Sequence, residues 1–227
     1  MSLSAPVLST GYDHEVTDKI AECFTRSLDT ADRRDTPYAH WLMQETLPSA
    51  TVDAITSLPF AAPEDMDFNG RRETNNSKRV YFTKTNQDQF PVCRECAVAF
   101  NSSQVRETIR NVTGADLTGA ALRIEYCQDT GDFWLEPHTD IKVKKFTLLI
   151  YLSDEPALAN CGTDVYDDTP QHKLVYSAPY AKNKAILFIP GANTWHGFSK
   201  RRINGIRKSL IVNYVAPEWR DTWELSY

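Results

Sequence analysis

Residues 133–140 read FWLEPHTD, a stretch in which His138 precedes Asp140 by two positions. In an extended strand, side chains two positions apart point to the same face, so the imidazole and the carboxylate converge. Such a pair suits a borderline divalent metal such as iron(II). A facial triad of two imidazoles and one carboxylate, which leaves three coordination positions open, needs one further histidine.

His196 is the best-placed second imidazole. It lies in NTWHGF, residues 193–198, an apolar run with the character of a strand. It follows Asp140 by 196 − 140 = 56 positions, which leaves room for several strands between the two that carry ligands. The remaining histidines have less suitable surroundings: His14, His40 and His172. We therefore expect a metal centre built from His138, Asp140 and His196.

A carboxylate-binding face is predicted eleven residues beyond His196. The run RKSLIVNY, residues 207–214, alternates so that Arg207 and Ser209 share one face. A guanidinium binds a carboxylate through two charge-assisted hydrogen bonds, and a hydroxyl beside it is a further donor. Residues 200–205 lack this alternation and contain an Asn-Gly turn, so Arg201 and Arg202 are expected on an exposed connection.

The order His-x-Asp, long gap, His and then Arg-x-Ser resembles the iron(II)/2-oxoglutarate-dependent dioxygenases, and most closely their prolyl-4-hydroxylase-like branch. The resemblance covers roughly residues 118–215. It implies Fe(II) as the bound metal, with 2-oxoglutarate and O2 as cosubstrates. Two tyrosines also match family positions that line the cosubstrate pocket, although core packing explains them equally well. The residues that the resemblance assigns to Fe(II) are His138, Asp140 and His196, and those assigned to 2-oxoglutarate are Arg207, Ser209, Tyr126 and Tyr151.

The activity implied by this resemblance is hydroxylation of an aliphatic C–H bond of a small molecule, coupled to release of succinate and CO2. The carboxylate of Asp140 favours a hydroxylase over the related halogenases, which carry Gly or Ala at that position and so leave room for chloride. Three lysines and two arginines near the ligands would favour an anionic substrate if they line the mouth of the site. These cations are Lys142, Lys144, Lys145, Arg201 and Arg202.

Three alternatives stay open. A prolyl or other peptidyl hydroxylase shares the same motif, and the sequence does not reveal the shape of the substrate groove. Repair of alkylated nucleic-acid bases is a weaker alternative, because that branch carries a second arginine where aliphatic residues follow Ser209 and because the chain is acidic. A non-catalytic metal- or ligand-binding β-barrel is the remaining alternative, and nothing in the intact motif supports it.

The pattern predicts an α+β fold in a single domain, residues 1–227. Residues 1–117 form a mainly helical support, and residues 118–227 form the catalytic core. For that core the short strands favour a jelly roll or a barrel, and the family resemblance implies a double-stranded β-helix, with the N-terminal helices packed on one sheet. Eight short strands with turns between them carry this prediction: 121–127, 133–140, 145–152, 163–166, 173–176, 185–189, 194–198 and 207–215.

In the first half, helices are expected at 13–28, 50–58 and 97–112, the last of them interrupted near 101–103. Short strands are expected within 38–47 and at 80–82. The polar stretch 63–77 is long for a connection inside a domain, and its part Gly70–Ser77 is a candidate lid.

Composition limits the setting of the protein. Hydrophobic residues make up 41% of the chain and charged residues 24%, as in soluble globular proteins. The net charge of -5 argues against a nucleic-acid partner, and the longest apolar run is too short to cross a membrane. The start of the sequence shows no signal peptide, and five cysteines without tight spacing favour reduced thiols in the cytoplasm. The sequence carries no indication of the oligomeric state.

Overall fold

The computed structural model describes residues 12–64, 68–71 and 79–227. These ranges contain eleven β-strands, and all the pairs between them are antiparallel. In chain order the strands are β1 (Asp32–Arg34), β2 (His40–Met43), β3 (Val80–Tyr81), β4 (Ala121–Gly131), β5 (Leu135–His138), β6 (Lys144–Tyr151), β7 (Asp164–Tyr166), β8 (Leu174–Ser177), β9 (Ala185–Phe188), β10 (His196–Phe198) and β11 (Ile203–Val215).

The strands form two sheets. The larger has the order β1-β2-β9-β6-β11-β4-β3, and the smaller has the order β5-β10-β7-β8. The longest pairing joins β4 and β11, from Val215 opposite Ala121 to Ile203 opposite Gly131, and it includes Arg207 opposite Asp129. Because β5 and β10 are neighbours in the smaller sheet, the two segments with predicted metal ligands lie side by side.

Five α-helices precede β4 in the described part of the chain. They are α1 (His14–Asp29), α2 (Ser49–Thr56), α3 (Lys84–Gln89), α4 (Pro91–Asn101) and α5 (Ser103–Thr113). The N-terminus of α1 is capped by Asp13, whose carboxylate accepts from the backbone amides of Glu15 and Val16. Ser102 separates α4 from α5 and caps α5 by accepting from the amide of Val105. None of the helices in the described ranges combines the length and apolarity that crossing a bilayer requires.

Alternation along β6 divides the core into two parts. Phe146, Leu148 and Ile150 belong to a cluster that packs against the helices. Leu149 and Tyr151, on the opposite face of β6, belong to a second cluster that includes residues of the smaller sheet. The larger sheet is therefore covered on one face by helices and on the other by the smaller sheet. The predicted site residues other than Tyr126 face this second interior.

The eight strands from β4 to β11 match the eight predicted after residue 120. The helix expected at 97–112 begins earlier than predicted, at Pro91. It is divided into α4 and α5 at Ser102, whose backbone is extended, and this break lies within the interruption expected near 101–103. Strand β1 was not predicted. Its side chains are exposed and polar, and its pairing with β2 is what makes it a strand. Three short strands of the first half join the larger sheet, so this half is not a purely helical layer. Most of the proposed lid, Gly70–Ser77, lies outside the described residues.

Candidate metal centre and adjoining cavities

Three predicted metal ligands come together where β5 and β10 meet. His138 ends β5, His196 begins β10, and the two residues are opposite each other in the pairing of these strands. Their ring centroids are 4.4 Å apart. Asp140 follows β5 directly, and one ligand atom from each of the three side chains can be chosen so that all lie within 4.8 Å of one another.

Both imidazoles have the orientation of a metal ligand. The Nδ1 atoms of His138 and His196 lie 2.8 and 2.9 Å from the carbonyl oxygens of Glu136 and Thr194. A carbonyl only accepts hydrogen bonds, so each Nδ1 carries the proton, and in a neutral ring Nε2 then has the lone pair that a metal would use. Burial, together with neighbouring His138, lowers the pKa of His196 to about 3, so this ring is neutral at physiological pH.

The Asp140 carboxylate is held by two donors. Lys144 Nζ lies 2.5 Å from Oδ1, and Thr147 Oγ1 donates to Oδ2 at 2.6 Å. Burial alone would raise the pKa of Asp140, but Lys144 and His196 outweigh it, with Thr147 assisting, and the pKa falls well below its usual range. Of the three lysines expected near the mouth of the site, Lys142 and Lys145 are exposed and Lys144 is buried in this ion pair.

A narrow cavity extends from the metal ligands to Arg207 and Ser209 on β11. Arg207 is buried, and it donates from Nε to the carbonyl of Cys161 and from Nη1 to Asp129 Oδ2, both at 2.7 Å. The hydroxyl of Ser209 is buried, and within the described chain it has no hydrogen-bond partner. Buried hydroxyls are normally bonded, so this unpaired donor at the end of a cavity marks a place for a polar ligand.

The sequence-based reasoning missed Arg79 and Asp129, which line the same cavity. Asp129 pairs with Arg207 and lies 3.9 Å from Arg79 Nη2, while Arg79 Nη1 pairs with Glu125 at 2.8 Å. Glu125 in turn pairs with Arg123 at 2.6 Å. The alternation of Arg123, Glu125 and Asp129 along β4 is visible in the sequence. Charged residues on one face of a strand usually face water, however, and here that face is interior.

The two predicted pocket tyrosines have different positions. Tyr126 shares its face of β4 with Leu122 and Ile124 and packs in the cluster against the helices, so it does not line the cavity. Tyr151 is fully buried directly behind the cavity wall. Its hydroxyl donates to Thr163 Oγ1 at 2.9 Å, and Thr163 itself lines the cavity.

The connection after β10 differs from its expected exposure. Arg201 donates to both carboxylate oxygens of the buried Asp164, at 2.7 Å from Nη1 and 3.0 Å from Nη2. Its guanidinium also lies over the ring of Phe198, 3.9 Å from the centroid. The prediction that Arg201 is exposed is therefore wrong, because β7 brings Asp164 within its reach. Arg202 is exposed, as expected, and lies 3.8 Å from Asp132.

A second, larger cavity of about 580 Å³ also borders the metal ligands. Its inner end is formed by His138, Asp140 and Lys144, which also border the narrow cavity. Its outer part is polar and mixed in charge, with one aromatic ring. The lining residues there include Arg71, Glu136, Trp219, Asp221 and Glu224.

The sequence matches no family profile and no curated protein. Solved structures are similar to the chain in fold. A prolyl-4-hydroxylase from Pseudomonas putida is 11% identical, with a TM-score of 0.53, and the match covers 87% of this chain and 98% of that one. A prolyl hydroxylase from Trichoplax adhaerens, in complex with a peptide fragment of the hypoxia inducible factor oxygen degradation domain, is 14% identical, with a TM-score of 0.53 and coverage of 88% and 91%.

HygX from Streptomyces hygroscopicus, solved with nickel and 2-oxoglutarate bound, is 15% identical, with a TM-score of 0.50 and coverage of 80% and 85%. At these identities the likeness concerns the fold. The chain is therefore an α+β protein that shares the fold of these 2-oxoglutarate-binding and prolyl-hydroxylating proteins.

Proposed function

We propose that the protein is an Fe(II)- and 2-oxoglutarate-dependent oxygenase that hydroxylates an aliphatic C–H bond of a small molecule and releases succinate and CO2. One observation carries the proposal. A single cavity has a two-histidine, one-carboxylate set at one end. At the other it has a buried guanidinium and a serine hydroxyl that has no partner among the described residues. The first end suits iron(II), and the second suits the distal carboxylate of 2-oxoglutarate.

The metal would be held by His138, Asp140 and His196. Their ligand atoms already lie within 4.8 Å of one another, and both imidazoles donate from Nδ1 to a backbone carbonyl, which directs coordination to Nε2. With two neutral imidazoles and one carboxylate, the donor set matches that of non-haem iron oxygenases and leaves three positions open. Iron bound here would supply the activation of O2, while the protein supplies geometry and a dry site.

The cosubstrate would bind between the metal ligands and β11. The roles proposed for this chain are charge pairing by Arg207 and hydrogen-bond donation by Ser209 to the same carboxylate. Tyr151 supports the wall from behind through its bond to Thr163. Because this end of the cavity is buried, these bonds form with little competition from water.

The larger cavity is the proposed site for the substrate. Its volume of about 580 Å³ lies within the range typical of small-molecule sites, roughly 300–1,000 Å³. It borders His138 and Asp140, so a molecule bound there would present a C–H bond to the metal. Of its inner cations, Lys144 is paired with Asp140, and Arg123 is paired with Glu125 and Glu224. Because these charges are already neutralised, the cavity does not favour a purely anionic substrate. A polar molecule of mixed charge fits this lining better.

The alternative is a prolyl or other peptidyl hydroxylase, which the likeness to prolyl hydroxylases favours. The proposed core is a double-stranded β-helix, formed by the two sheets from β4 to β11. We place the protein in the cytoplasm, because its five cysteines are all free and buried. A base-repair enzyme is a weaker candidate, because aliphatic residues follow Ser209 where that branch carries a second arginine and because the chain is acidic. A non-catalytic binding barrel is also a weaker candidate, because all parts of the site are intact.

The test is turnover of 2-oxoglutarate with added iron, scored by succinate release against pools of metabolites and of proline-containing peptides. The unmodified protein should release succinate in stoichiometric amounts with one pool, and His196→Ala should abolish this release. His14→Ala is the matched control, since His14 is an exposed histidine at the start of α1, and it should keep full activity. Iron-dependent succinate release by His196→Ala at the unmodified rate would refute the proposed site.

A further inference from the structure

Lys144 is the only lysine classed as buried in the described ranges, with 4% of its side chain exposed. A backbone hydrogen bond from its amide to the carbonyl of Ile141 closes the turn between Asp140 and β6. This turn fixes the lysine against the carboxylate four residues earlier. Burying a lysine is unfavourable unless its charge is paired, so the contact with Asp140 is what makes this position tolerable for both residues.

The pair is rigidly built on the aspartate side as well. Thr147 donates to the second oxygen of Asp140 and accepts from Asn213 Nδ2 at 3.0 Å. Asn213 accepts in turn from Arg123 at 3.2 Å. Both oxygens of the predicted metal ligand are therefore already bonded to the protein, one of them to a cation.

A divalent metal must compete for this carboxylate. Cis ligands about 2.1 Å from an octahedral ion lie roughly 3 Å apart, closer than the 4.8 Å limit within which the present ligand atoms lie. Coordination by all three side chains would bring a carboxylate oxygen of Asp140 to about 3 Å from the imidazole nitrogens. It would also bring two positive charges close to the Lys144 ammonium, in an interior where charges are poorly screened.

We propose that Lys144 is the counter-ion of Asp140 in the metal-free protein and that it competes with the divalent metal for this carboxylate. The lysine then stabilises the fold before the metal is bound and lowers the affinity of the site for the metal. Lys144 also borders both cavities. The inference rests on the metal site of the proposed function.

The test compares Lys144→Met with Lys145→Met. Lys145 is the next residue of β6 and is exposed. Its replacement by methionine therefore removes the same charge and makes the same change in side-chain length, but it leaves the surroundings of Asp140 unaltered. Mn2+ is the probe, and its free concentration is followed by electron paramagnetic resonance during titration. Lys144→Met should bind Mn2+ at least about tenfold more tightly than the unmodified protein, and Lys145→Met should change the affinity by less than about threefold.

Thermal unfolding supplies a second readout. Without metal, Lys144→Met should unfold at least about 5 °C lower, because the buried carboxylate loses its counter-ion, and saturating Mn2+ should remove most of this difference. Lys144→Gln keeps a hydrogen-bond donor without the charge. It should bind Mn2+ more tightly than the unmodified protein while losing less stability.

Equal or weaker Mn2+ binding by both Lys144 variants would overturn the inference. Lys144→Met that folds only when Mn2+ is present would support it. If the unmodified protein and both Lys144 variants all fail to bind Mn2+, the metal site itself is refuted, and the proposed function with it. The two failures are thus distinguishable.

Discussion

Replacing Ser209 by alanine should weaken binding of 2-oxoglutarate without harming the fold. The hydroxyl of Ser209 is buried at the closed end of the narrow cavity and, in the described structure, bonds to nothing. A hydrogen bond to a charged group contributes about 1.5–3 kcal/mol. Its loss should weaken 2-oxoglutarate binding about 10- to 150-fold, since each 1.4 kcal/mol is a factor of ten. In the protein without 2-oxoglutarate, Ser209→Ala removes a buried hydroxyl that has no partner among the described residues. The free energy of unfolding should therefore stay unchanged or rise by at most about 3 kcal/mol.

Ser153 provides a matched control of the opposite kind. It is also buried, but its hydroxyl donates to the carbonyl of Ile206 at 2.6 Å and accepts from the amide of Lys208 at 2.9 Å. Ser153→Ala leaves these two backbone groups without their partner, which should lower the free energy of unfolding by about 1–3 kcal/mol. Because Ser153 does not border the narrow cavity, the affinity for 2-oxoglutarate should stay within about threefold of the unmodified protein.

The assay is an anaerobic titration of 2-oxoglutarate into the iron-loaded protein, followed through the metal-to-ligand charge-transfer band. Urea unfolding of the metal-free variants gives the stabilities. The reasoning fails if Ser209→Ala binds 2-oxoglutarate as tightly as the unmodified protein. It also fails if Ser209→Ala loses as much stability as Ser153→Ala, because that would mean that Ser209 serves the fold.

The contributions of Arg201, Arg202 and Arg207 to 2-oxoglutarate binding and to stability can be measured by the same methods. Arg207→Ala should weaken 2-oxoglutarate binding by about 2–5 kcal/mol. Arg202 is exposed, so Arg202→Ala should change the binding free energy by less than about 1 kcal/mol. A larger loss in Arg202→Ala than in Arg207→Ala would contradict the assignment of 2-oxoglutarate binding to Arg207 on β11. Arg201→Met should lower the free energy of unfolding at pH 7 by roughly 3–5 kcal/mol, because it leaves the buried Asp164 without its cation, and should not affect 2-oxoglutarate affinity. Burial would raise the pKa of Asp164, but Arg201 and neighbouring hydroxyls outweigh it, and the pKa is lowered. The difference in free energy of unfolding between the unmodified protein and Arg201→Met should therefore persist above about pH 4. It should fade as the pH drops through the folded-state pKa of Asp164. A stability difference that grows on acidification, measured by urea unfolding at several pH values, would show that the ion pair is not its source.

Much of the site follows from local geometry that a sequence expresses directly. Two residues of a strand that are two positions apart share a face whatever the strand packs against. This rule places Arg207 and Ser209 together, and the short step from His138 to Asp140 keeps those two side chains close. The strand character of residues 193–198 then leaves His196 as the natural partner, and the pairing of β5 with β10 brings it opposite His138.

The partners of the charged groups depended on the tertiary structure. Alternation separates Tyr126 from Arg123, Glu125 and Asp129, but it does not say which face of β4 is covered by helices. Charged faces normally turn to water, and this one instead lies in the interior, where ion pairs formed with distant segments satisfy it. The sequence by itself determined which side chains share a strand face and which three can bind a metal. Only the tertiary structure decided that Lys144 is buried against Asp140, that Arg201 binds Asp164 and that Ser209 has no partner among the described residues, because burial and pairing depend on which segments the fold brings together.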